Sequence, residues 1–139
     1  MIIQEIQEEI VDEFSMFDDW MERYEYIIEL GKGLPLIDDQ YKTEENIIKG
    51  CQSKVWVHAE QNGDKIVFTA DSDAILTKGI IAILIRAFSN QKAADILEAN
   101  TDFIDKIGLK EHLSPTRANG LVSMIKKIKM YALAFNAKK

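Results

Sequence analysis

The sequence predicts an α+β fold, a small antiparallel sheet with helices packed on one face. Three patterns carry that reading: helical periodicity at both ends of the chain, one pair of alternating segments joined at Asn62-Gly63-Asp64, and no strand-helix-strand alternation of the kind that builds a parallel sheet.

In chain order, Ile2, Ile3, Ile6, Ile10 and Phe14 recur at helical spacing. Trp20, Tyr24, Ile27 and Ile28 repeat the pattern before Gly31 and Gly33, which are expected to end that helix. Val55 and Val57 then alternate with Trp56 and His58 up to the turn, and Ile66, Phe68 and Ala70 alternate with Val67 and Thr69 beyond it, which is a β-hairpin. Ser72 is the expected N-cap of the next helix, with Asp73 in its first turn, where a carboxylate meets the positive end of the helix dipole. Residues 74–88 are apolar nearly all round, predicting a central helix packed on the sheet. Residues 93–99 read as a short helix, and 102–107 as another turn or two before Gly108. Ser114-Pro115 joins a capping hydroxyl to a proline at the first helical position. Leu121, Met124, Ile125, Ile128, Tyr131, Ala132 and Phe135 form the apolar stripe of the helix that follows.

Bulk properties limit the function classes. A chain of 139 residues with 47% hydrophobic residues is expected to fold as one domain over 1–139 without staples. A net charge of −6 argues against sequence-independent nucleic-acid binding, which depends on neutralising phosphates with Lys and Arg. No segment approaches the ~18 consecutive apolar residues of a membrane span. The start lacks the basic flank and cleavage pattern of a signal peptide, so a cytoplasmic protein is expected.

Cys51 is the one cysteine, set in Ile48-Lys49-Gly50-Cys51-Gln52-Ser53-Lys54-Val55-Trp56. It can form neither an internal disulfide nor a Cys-rich metal site, and a working thiol belongs in a reducing compartment. Gly50 can take positive φ, and Gln52 and Ser53 can hydrogen-bond turn backbone, so this stretch can lift a thiol away from the sheet. Free cysteine is also among the most buried residue types, and local sequence alone favours a packed, inert Cys51.

Four blocks together resemble the SufE family over about residues 14 to 133. They are Trp20-x-x-Arg23-Tyr24-x-x-Ile27-Ile28-x-Leu30-Gly31-x-x-Leu34-Pro35; Gly50-Cys51-Gln52-Ser53-x-Val55-Trp56; Asp71-Ser72-Asp73-Ala74 with Lys78-Gly79-Ile80-Ile81-Ala82; and His112-Leu113-Ser114-Pro115-x-Arg117-x-x-Gly120-Leu121. The resemblance implies a SufE/IscU-like fold in which residues 46–49 add a further strand, leaving Cys51 at a strand-to-strand tip. It also implies a sulfur-transfer accessory protein for iron-sulfur cluster assembly rather than an enzyme. Cys51 would take sulfane sulfur as a persulfide from a SufS-type cysteine desulfurase, stimulate that enzyme, and pass the sulfur toward a SufB-like scaffold. Gly50, Gln52, Ser53, Trp56, Asp71 and Asp73 would support the cysteine loop, and Arg117 would bind the partner. No metal or cofactor is expected on this chain, since the pyridoxal phosphate belongs to the desulfurase, and a homodimer stays open.

Each of these residues has a plainer role beside it. Trp56, Val55 and Ile80 can shield a persulfide or serve as core. Asp71 and Asp73 can position the tip or favour a helix start, and Gln52 and Ser53 can be turn formers only. Arg117 falls at the third helical position, where the dipole disfavours a cation, so a rim salt bridge to Glu111 or a docking contact is needed to explain it. His58 and His112 raise a second reading, a cysteine hydrolase with a Cys-His pair, although His58 is seven positions from Cys51 on the Trp56 face. A third is a noncatalytic binding module of the same fold.

Overall fold

The computed structural model describes residues 2–51 and 53–137. Helix α1 (Ile3–Phe14) and helix α2 (Trp20–Lys32) open the chain, with a 3-10 turn at Asp39–Tyr41 before the hairpin β1 (Val55–Asn62) and β2 (Lys65–Ser72). Helix α3 (Ile75–Phe88) follows, then the two-residue β3 (Gln91–Lys92), short helices α4 (Ala93–Glu98), α5 (Asp102–Lys106) and α6 (Leu109–His112), and the long α7 (Pro115–Ala137). The sheet order is β1-β2-β3, antiparallel throughout, with Val55 opposite Ser72 and Asn62 opposite Lys65.

Strand alternation sorts the hairpin as its sequence predicts. Val55, Val57, Ile66, Phe68 and Ala70 are buried toward the helices, while Trp56, His58, Val67 and Thr69 are half-buried on the other face. That second face is partly roofed. Leu36 bridges Ala70 at the edge of β2, and Ile47 bridges Trp56 at the edge of β1. Between these points the Tyr41 ring stacks on His58 at 3.6 Å, and Lys42 Nζ stands 5.4 Å over the Trp56 ring.

Helix α3 is buried over most of its surface, from Ile80 through Phe88 apart from half-buried Arg86, and lies between the sheet and the two opening helices. Its crossing with α2 is made backbone to backbone. A Cβ on Gly79 would sit 2.1 Å from the Ile27 carbonyl oxygen, and one on Gly31 would sit 2.9 Å from the Gly79 nitrogen. Gly31 therefore does not end α2, as its sequence position suggests; it is buried inside the helix at this crossing, and Gly33 is the C-cap.

Two further expectations are corrected. Ser72 is not the N-cap of α3, because pairing with Val55 keeps it in β2; the cap is Ala74, and Ser72 Oγ accepts from the Ala74 amide at 3.2 Å. Asp73 accordingly lies before the helix rather than in its first turn. Residues 46–49 form a single bridge rather than a full strand: Val57 N donates to Asn46 O at 2.9 Å and Ile48 N to Val55 O at 2.8 Å, after which the chain leaves β1 to form the cysteine loop.

Candidate functional site

The loop that carries Cys51 hangs between two fixed posts. One is the Ile48–Val55 hydrogen bond, stiffened from below by α7, where the Tyr131 hydroxyl lies 2.5 Å from Asn46 Oδ1 and 2.9 Å from the Val57 carbonyl oxygen, and Lys127 Nζ donates to the Glu45 carbonyl at 2.8 Å. The other is reciprocal: Lys54 N donates to Asp73 Oδ1 at 3.0 Å, and Asp73 N donates to the Lys54 carbonyl at 3.2 Å. Gly50 turns the chain between them at φ +94°, a conformation that L side chains rarely adopt, and a Cβ there would also meet Ser123 Oγ at 2.7 Å.

That turn directs the thiol inward. Cys51 is half-buried, and its Sγ rests 3.7 Å from the Gly120 carbonyl oxygen on α7. Ser53, Thr77, Ile80, Arg117, Gly120 and Met124 wall a cavity of about 70 Å³ beside it. Burial pushes the Cys51 thiol up from its ordinary pKa, since a thiolate loses hydration there. At rest the sulfur is sheltered.

The remaining residues separate into those near the sulfur and those behind it. Gly50, Ser53 and Asp73 belong to the loop and its post; Gln52 lies outside the described residues. Trp56 and Asp71 face the opposite side of the sheet. Asp71 is half-buried, which acts to raise its pKa, but donation from Lys42, the Ser72 amide and the charge of Lys78 together hold its carboxyl below the usual carboxylate range. Ile80 lines the cavity, whereas Val55 is fully buried in the core.

Arg117 stands exposed at the rim, with its amide donating to Ser114 Oγ at 3.3 Å, so the serine caps α7 as its sequence predicts. Among the described residues it makes no ion pair, and the expected bridge to Glu111 is absent. Neither histidine lines the cavity: His58 stacks on Tyr41 and its Nε2 meets Glu60 Oε1 at 3.2 Å, while His112 stacks on Trp20 at 3.8 Å with Nδ1 3.0 Å from the Gly108 carbonyl. No cluster of three or more His, Cys, Asp or Glu side chains suited to a metal occurs among the described residues.

Sequence reading passed over Thr77, Thr116, Ser123 and Met124 as parts of this site. Only a threonine inside an otherwise apolar helix, and a glycine inside the last one, hint at special surroundings. Which loop they face is decided by tertiary packing.

Fold and site together define an α+β protein built around one sheltered loop thiol. Residues 8–132 match the SufE family, described as an Fe-S metabolism associated domain, and the chain belongs to that family. It is 43% identical over 130 residues to an uncharacterized SufE-like protein of Rhizobium meliloti (strain 1021), covering 90% of this chain and 93% of the relative. It is 39% identical over 132 residues to SufE-like protein 1, chloroplastic/mitochondrial, of Arabidopsis thaliana, covering 94% of this chain and 36% of that longer protein. The solution structure of a hypothetical protein from Thermus thermophilus superposes with a TM-score of 0.77 at 19% identity, over 93% of this chain and 94% of the other, which shows a shared fold. No helix among the described residues is long and apolar enough to cross a membrane.

Proposed function

We propose that the whole chain acts as one SufE-like domain that accepts sulfur from a SufS-type cysteine desulfurase in the cytoplasm, stimulates that enzyme, and relays the sulfur toward a SufB-like scaffold. The Cys51 thiolate attacks the terminal sulfur of the partner's persulfide. The sulfur-sulfur bond breaks, the partner cysteine leaves as a thiolate, and Cys51 holds the persulfide. No external oxidant is consumed.

The observation that carries this reading is the sheltered thiol on a loop fixed at both ends, with open space beside its sulfur. A persulfide is easily oxidised or lost to small thiols, so a carrier benefits from a cavity that keeps both away between transfers. Attack on a partner requires the opposite condition, a thiol turned out and ionised, and Gly50 supplies the backbone freedom for such a change.

The test is to incubate the protein with cysteine and a SufS-type desulfurase and follow intact mass. A gain of sulfur mapped to Cys51, together with faster desulfuration, is expected. A chain that gains no sulfur and leaves the desulfurase rate unchanged would remove the carrier role.

A further inference from the structure

Glycine weakens a helix interior relative to alanine, yet Gly120 sits buried inside α7. The reason is specific. A Cβ added there would lie 3.1 Å from Cys51 Sγ, tighter than an ordinary van der Waals contact, while Cys51 Cα and Cβ would be at a comfortable 3.7 and 3.8 Å. Of these three neighbouring atoms, the sulfur alone lacks room for a side chain at this position.

We propose that Gly120 is the seat of the Cys51 sulfur, a positioning residue that sets how deeply the thiol rests in its cavity and thereby how readily it is released for exchange; its use in sulfur transfer rests on the carrier reading above. The walls around the seat are held by the core, with Ile80 on α3 and Met124 on α7 both buried. The cysteine loop is attached through its two posts. When a methyl group is placed at position 120, the part that yields is therefore the loop, and the sulfur moves outward toward water. The Gly120 carbonyl, 3.7 Å from Sγ, then loses its contact with the thiol.

The experiment uses the full chain in four forms: parent, Gly120→Ala, Cys51→Ala and the double variant. Iodoacetamide alkylation of the first two is followed against pH, and melting temperature is measured for all four. Alkylation of Gly120→Ala at neutral pH is expected to rise about tenfold, with the pH midpoint moving down toward that of a free thiol, as one pKa unit changes the thiolate fraction tenfold. In the Cys51→Ala background, where no sulfur remains to collide with, Gly120→Ala should raise the melting temperature through helix propensity alone. With Cys51 present that gain should shrink or reverse.

Equal changes in melting temperature in both backgrounds, or unchanged alkylation by a folded Gly120→Ala, would overturn the proposal. So would failure of both Gly120→Ala and the double variant to fold, because something other than sulfur would then exclude the side chain. Failure of Gly120→Ala alone, rescued in the double variant, supports it. Sulfur uptake by the parent is read separately by intact mass, so a protein that accepts no sulfur removes the carrier reading and leaves the seat standing.

Discussion

At the scale of single residues, Cys51 and Arg117 make the same kind of prediction: activity is lost while stability is kept. Cys51→Ser should abolish sulfur acceptance, since a hydroxyl cannot hold a persulfide, while folding is retained because serine fits the same half-buried loop position. Mass mapping and desulfurase stimulation check this, and stimulation equal to the parent would refute it. The parent thiol should alkylate with a pH midpoint above that of a free cysteine, because burial disfavours its thiolate. As the folded chain holds this proton more tightly than the unfolded chain, the thiol's contribution to stability is complete below the ordinary thiol pKa. It declines as pH rises past that value, a decline that Cys51→Ser removes. Arg117→Ala should weaken desulfurase binding about tenfold or more, yet alter stability by no more than ~0.5 kcal/mol, as the side chain is exposed and makes no ion pair among the described residues. A large fall in melting temperature beside normal stimulation would make Arg117 structural. Its position was legible because it breaks the dipole rule just after a serine cap; its lack of an ion pair among the described residues was not, because local sequence offered Glu111.

At the scale of elements, the two posts and the α2–α3 crossing matter most. The sequence around Asp73 admits both a helix-start acid and a residue that positions the cysteine tip. In three dimensions its carboxylate holds the Lys54 amide, because β2 continues through Ser72 and moves the helix start past it. Asp73→Ala should loosen the second post and speed Cys51 alkylation several-fold, whereas Asp73→Asn keeps an acceptor oxygen and should stay near the parent rate. If alanine and asparagine behave alike, the post does not hold the loop. Gly79→Ala tests the crossing. Its new methyl meets the rigid Ile27 backbone rather than a yielding side chain, so a loss of about 3 kcal/mol or more is expected by denaturant titration. A near-neutral result would mean the helices can separate freely. The family-like stretch around Lys78-Gly79-Ile80 thus contains one glycine whose reason is helix packing.

At the scale of the whole molecule, the parts readable from sequence were those with short periods. The hairpin register followed from alternation, and the amphipathic helices from their 3.6-residue spacing, because each pattern reports its own buried face. The roof over the second sheet face escaped notice. Residues between Leu36 and Ile47 have no periodicity, and Tyr41 and Lys42 find His58 and Trp56 only after the sheet exists. The cavity beside Cys51 was hidden for the same reason, since Thr77 and Gly120 come from helices separated in sequence and are brought to one sulfur by the core between them.

The two posts also fix a tether length. Cys51 stands three residues from Ile48 and three from Lys54, both pinned by backbone hydrogen bonds, so a fully extended loop carries its Cα at most about 10 Å from either pin. A sulfur recessed farther than this inside another protein is out of range. Under the carrier reading proposed above, a partner is therefore expected to present its reactive atom within that reach of the two pins. In that reading a short tether sets the travel on this side, and the partner is expected to supply the rest.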